Sequence, residues 1–164
     1  MTLLKTTLVV LVVFIAFAAP SIAHDYTAGN IQIGHPWSRP TPPSAKVAGG
    51  YVKLTNAGSE PDRLIAIASP IASRTEIHGS VVENGVASMR PLDGAGIDPG
   101  ATVAFEAERL HFMFIEPNRQ LRNGERFPAT LVFEKAGRVH VEFMVQMRTS
   151  APAAEDHSGH GGSQ

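Results

Sequence analysis

A chain of 164 residues with 43% hydrophobic content and a formal net charge of -1 is one modest globular domain with attachments. That near-neutral balance gives no electrostatic reason to expect nucleic acid or an anionic membrane surface as partner. The absence of cysteine excludes disulfide stabilisation and all thiolate chemistry.

In chain order, residues 1–23 read as a secretory signal. Lys5 is the only charge, residues 8–19 form an almost unbroken apolar run, and Ser21-Ile22-Ala23 offers small residues for cleavage. The run is shorter than the roughly 20 residues of a helical span, which argues against a membrane anchor. Cleavage after Ala23 is expected to release a periplasmic protein that begins at His24 and keeps no membrane segment. Its domain is expected over 24–149, with a tail over 150–164.

From Gly29 on, short apolar runs alternate with turn signals. Ile31 and Ile33 mark a first strand. Residues 36–43 carry four prolines, which predicts a rigid, extended connection, with Trp37 as a core plug. The next strand covers 47–56, with Val52 and Leu54 facing in and Tyr51, Lys53 and Thr55 facing out, and a turn over 56–59 closes it. Residues 64–68 are continuously apolar, as in a strand covered on both faces. Two strand-like runs, 75–82 and 86–92, flank Glu83-Asn84-Gly85, and Asn-Gly between such runs predicts a hairpin.

Residues 110–115 alternate, with Phe112 and Phe114 on one parity. Ala129, Leu131 and Phe133 mark another strand, and Val139, Val141, Phe143 and Val145 the last. There is no convincing amphipathic helical window. Many short strands with glycine and proline turns predict an all-β Greek-key sandwich or barrel. Residues 150–164 lack apolar periodicity and read as a disordered tail.

Within this frame, His78, Met89, His111 and Met113 stand out, spaced His-x10-Met-x21-His-x-Met. Two imidazoles and two thioethers, without thiolate or carboxylate, suit Cu(I) better than zinc, calcium or magnesium. A blue-copper electron-transfer site needs a cysteine, so that role is excluded. Residues i and i+2 of a strand share a face, so His111 and Met113 point together, away from Phe112 and Phe114. A two-residue Asn84-Gly85 loop pairs Ser80 with Met89 and His78 with Pro91. His78 and Met89 then lie on one face as diagonal neighbours roughly 7–8 Å apart. A neutral donor set in an exposed position lets a partner displace its ligands stepwise, which describes a carrier and not an enzyme.

Further donors lie elsewhere. His157 and His160, beside Glu155 and Asp156, form a nitrogen and oxygen set suited to Cu(II) or Ni(II), and His24 with the α-amino group that cleavage would free suits Cu(II). His140, Glu142 and Met144 share one parity of the last strand, where a solvated face is the simpler expectation.

The four-donor spacing, taken with Pro36-Trp37-Ser38-Arg39-Pro40-Thr41-Pro42-Pro43, Gly50-Tyr51-Val52-Lys53-Leu54-Thr55-Asn56, Asp62-Arg63-Leu64, Glu76-Ile77-His78, Met89-Arg90-Pro91-Leu92 and Phe133-Glu134-Lys135-Ala136-Gly137, resembles the periplasmic copper chaperone family PCu(A)C. The likeness covers residues 29–147. It implies a cupredoxin-like β-sandwich that binds Cu(I) through His78, Met89, His111 and Met113. It further implies help in loading the CuA centre of cytochrome c oxidase, whose copper-bearing subunit and a Sco-type thioredoxin-fold protein would be partners; the chain itself is expected to act as a monomer. Many members carry methionine directly after the first histidine, where this chain has Gly79. Residues 106–109 also replace a glycine-rich turn common in the family. The alternative is a periplasmic copper-sequestering protein that holds Cu(II) through His24, His157 and His160.

Overall fold

Period-two alternation of branched and aromatic residues governs the chain, because such residues pack well on a pleated surface with one face buried. The computed structural model describes residues 26–107 and 109–148. They form eleven strands: β1 (Tyr26–Ala28), β2 (Ile31–Ser38), β3 (Val47–Asn56), β4 (Asp62–Ala68), β5 (Ala72–Glu83), β6 (Val86–Leu92), β7 (Ala95–Ile97), β8 (Thr102–Phe105), β9 (Leu110–Pro117), β10 (Arg126–Phe133) and β11 (Gly137–Val145). The hydrogen-bonded order is β6-β5-β9-β3-β2-β11-β10-β4-β7, with β1 on β2 and β8 on β3. Every pair is antiparallel except β11 with β2. The all-β expectation holds. His24, His157 and His160, the cleavage site and the tail lie outside the described residues.

Phenylalanines hold the two faces of this fold together. Phe112 and Phe114 of β9 are fully buried and meet strands that are not their sheet neighbours. Phe114 packs edge-on against Phe127 of β10 at 5.2 Å and Phe143 of β11 at 5.6 Å, while Phe112 stacks on Phe105 of β8 at 4.5 Å. Burying each such ring contributes roughly 2–3 kcal/mol. Gly50 makes room for them, since a Cβ there would sit 2.6 Å from Phe114 Cε2.

Three expectations need correction. Residues 36–38 are not part of a proline-rich connection but continue β2. The register shifts between Gly34 and Trp37, and His35 adopts φ 50°, so a bulge absorbs the irregularity. Trp37 is therefore no core plug. It is half-buried on the outer face, 4.4 Å from the Tyr51 ring and with the Arg148 guanidinium 5.3 Å above it. Tyr51 faces outward as expected yet is buried, because Trp37 covers it and Gly49 leaves space for its hydroxyl.

The 64–68 run is covered on one face only. Ile65 is 40% exposed, and Ala66 and Ala68 are exposed as well. Val132 pairs with Ala66 and Phe133 with Leu64, so Ile65 is the extra residue of a bulge. That bulge resets the parity and lets Leu64 and Ile67, three apart, both enter the core.

Candidate metal centre

The hairpin is the first element of the site. Asn84 and Gly85 take φ 51° and 78°, the doubly positive turn whose twist matches the flanking strands. With Glu83 paired to Val86, the register places Ser80 opposite Met89 and His78 opposite Pro91. The sequence register is the observed one. Ile77 and Gly79 turn inward, and His78 lies on the other face with Glu76 and Ser80.

β9 supplies the second half. Phe112 and Phe114 point into the core, so His111 and Met113 lie on the outer face, both partly buried. The pairing of β5 with β9, which joins residues more than 30 apart, sets His78 directly opposite His111 and Glu76 opposite Met113. The imidazole centroids are 6.0 Å apart with the rings inclined at 42°. Met89 stands on β6 beyond His78 and is 41% exposed. All four donors thus share one sheet face over three adjacent strands, β6-β5-β9.

The two histidines differ in environment. His78 Nε2 is 2.7 Å from Glu76 Oε2, and Glu76 Oε1 is 2.7 Å from Arg74 Nε. The bond from His78, aided by Arg74, holds the Glu76 carboxyl below the usual carboxylate range. His111 Nδ1 is buried with no hydrogen-bond partner. Burial, and then the charge of His78, lower the His111 pKa, so its imidazole is kept neutral and its lone pair available. A buried polar nitrogen without a partner calls for an explanation, and a metal that takes its lone pair is one.

Among the described residues no group of three or more His, Cys, Asp or Glu is arranged to hold a metal. The residues that share the outer face of β6, β5 and β9 carry imidazole and thioether groups. Glu76 was not singled out by sequence, although its position two residues before His78 on one strand places it on the same face. Gly79 is explained as well: a Cβ there would meet Leu92 Cδ1 at 2.6 Å, on the side away from His78. Nearby, Glu106 N–H donates to Leu110 C=O, and Ser80 N–H donates to Arg109 C=O, which ties Arg109 to β5 beside His78.

The other donors are engaged differently. His140 is exposed, with Nδ1 2.9 Å from Thr130 Oγ1, and Glu142 lies 3.8 Å from the Arg126 guanidinium. Met144 pairs with Trp37.

The model of the LpqE-like family matches residues 31–145. An uncharacterised protein of Rickettsia prowazekii (strain Madrid E), RP573, is 30% identical over 108 residues, 63% of this chain; the chain spans 60% of that relative's length. Among solved structures, the copper-bound PCuAC domain from PmoF2 is 27% identical with a TM-score of 0.66, over 76% of this chain and 99% of that one. The apo PCuAC domain from PmoF1 is 25% identical with the same score, over 76% and 100%. The Cu(I) form of DR1885 from Deinococcus radiodurans, 22% identical over 79% and 85% with a TM-score of 0.59, shares the fold. The likeness to these PCuAC domains supports a non-enzymatic role. On the family match and these structures together, the chain belongs to the LpqE-like family of PCu(A)C-type, cupredoxin-like domains.

Proposed function

We propose that this protein carries Cu(I) in the periplasm, held by His78, Met89, His111 and Met113, and passes it toward the CuA centre of cytochrome c oxidase. The observation that carries the reading is the cross-strand rung of His78 and His111, with Met113 beside it and one imidazole nitrogen buried without a partner. A d10 ion imposes no square-planar demand, so two imidazoles and two thioethers on a twisted sheet form a suitable soft set. The printed description of the PmoF2 domain as copper-bound, on the same fold, supports copper as the cargo. The lipoprotein description of the LpqE-like family supports an exported location.

The geometry favours transfer over storage. Met89 is the most exposed donor, on a strand that among the described residues pairs only with β5. A partner's ligand can replace it first while the half-buried histidines still hold the ion. A Sco-type thioredoxin-fold protein and the copper-bearing oxidase subunit are the proposed partners, with the protein acting as a monomer. The test is anaerobic mixing of the Cu(I)-loaded protein with an apo CuA domain and a Sco-type protein, followed by separation and metal analysis. Copper is expected on the recipient. Copper that stays on this chain at equimolar recipient contradicts delivery and leaves sequestration.

A further inference from the structure

Glu76 shares the sheet face of His78, and both its carboxylate oxygens are committed. Oε1 takes the Arg74 guanidinium at 2.7 Å and Oε2 faces His78 Nε2 at 2.7 Å. It therefore approaches the imidazole from a fixed direction, along the strand face that His78 occupies. An ionised carboxylate only accepts hydrogen bonds, so the ring nitrogen facing it must carry the proton. In a neutral imidazole the lone pair then belongs to Nδ1. On the opposite strand, His111 Nδ1 is the nitrogen buried without a partner.

We infer that Glu76 is a positioning residue, which locks His78 in its Nε2–H form and presents Nδ1 to Cu(I). This rests on the Cu(I)-carrier reading above and deepens it. A ligating histidine whose second nitrogen donates to a carboxylate is oriented and made more basic by that partner. Here the carboxylate also places a negative charge beside a donor set that has none of its own, so the ion's charge is partly offset without spending a coordination position. Arg74 tempers this by sharing the carboxylate and keeps it from swinging onto the metal as a hard oxygen ligand.

The test uses histidine 15N-labelled protein loaded anaerobically with Cu(I), which is diamagnetic, and long-range 1H–15N correlation of the imidazole rings. In copper-free protein, His78 is expected as the Nε2–H form. On loading, its Nδ1 resonance should move while Nε2 keeps its proton. Glu76→Gln offers either an oxygen or an amide N–H to the ring, so the tautomers should mix and Cu(I) affinity should fall about 10- to 100-fold. Loss of the Nε2 proton on Cu(I) loading overturns the inference, because copper would then take the nitrogen that faces Glu76; carriage itself would stand. Absence of any Cu(I)-dependent shift on either His78 nitrogen overturns both readings. A Glu76→Gln variant that melts earlier but keeps the His78 tautomer and the affinity shows a merely structural residue and also overturns the inference.

Discussion

Installing a methionine directly after the first histidine is a sharp test of which face each residue occupies. In Gly79→Met the new Cβ would lie 2.6 Å from Leu92 Cδ1, on the inward side of β5. Carbon atoms pack at about 3.5–4.0 Å, so the Leu92 tip must retreat by about 1 Å or change rotamer. Leu92 is 36% exposed and can do so. Surrendering the rest of its burial costs at most roughly 1–2 kcal/mol. Relief of the strand-interior glycine returns roughly 0.5–1 kcal/mol. The variant should therefore be destabilised by no more than about 1.5 kcal/mol in urea unfolding. Its thioether points away from His78, so Cu(I) affinity should stay within about threefold of the parent, under roughly 0.7 kcal/mol. A gain of tenfold or more, about 1.4 kcal/mol, means that the sulfur reaches the metal and refutes the face assignment.

Two other perturbations probe separate parts of the chain. Asp62 accepts the amides of Arg63, Lys135 and Ala136. Burial raises its carboxyl pKa, but those three bonds and the Lys135 charge outweigh burial and hold it below the ordinary value. A lowered carboxyl pKa stabilises the fold above the unfolded value of about 3.9 and loses that stability as pH falls through the folded value. Asp62→Asn should cost roughly 1.5–3 kcal/mol at pH 7 by chemical denaturation, and the gap to the parent should close in acid; an unchanged gap at pH 3 contradicts this. Truncation after Ser150 removes His157 and His160 and should abolish one Cu(II) binding event in calorimetry while leaving Cu(I) binding intact; unchanged Cu(II) stoichiometry refutes a capture role for the tail.

Local chemistry made much of the site legible in advance. Asn84-Gly85 fixes a two-residue turn, and the turn fixes which residues oppose His78 and Met89. Phe112 and Phe114 need the core, which sends His111 and Met113 to the other face whatever the strand pairs with. The pairing of β5 with β9 was not legible, because nothing local sets a register between residues so far apart, and that pairing creates the His78–His111 rung. Strand parity alone places Glu76 on the face of His78, whereas its place opposite Met113 exists only once those strands meet. The Ile65 and His35 bulges were also hidden, since alternation assumes unbroken period two and one inserted residue reverses it. Trp37 illustrates the consequence, a large aromatic placed on the outer face by the bulge beside it. The short β7 and β8 carry too few residues for alternation to register.

The central claim, that two thioethers and two imidazoles on one face hold Cu(I), is tested most directly by anaerobic titration against a Cu(I) chelator. The parent and a Met89→Leu/Met113→Leu double variant are compared, a pair of changes that keep side-chain volume and hydrophobicity nearly constant. The parent should bind one Cu(I), and the variant should bind it at least about 100-fold more weakly, a loss of about 2.7 kcal/mol. Undiminished binding by the variant would remove the thioethers from the site and contradict the account.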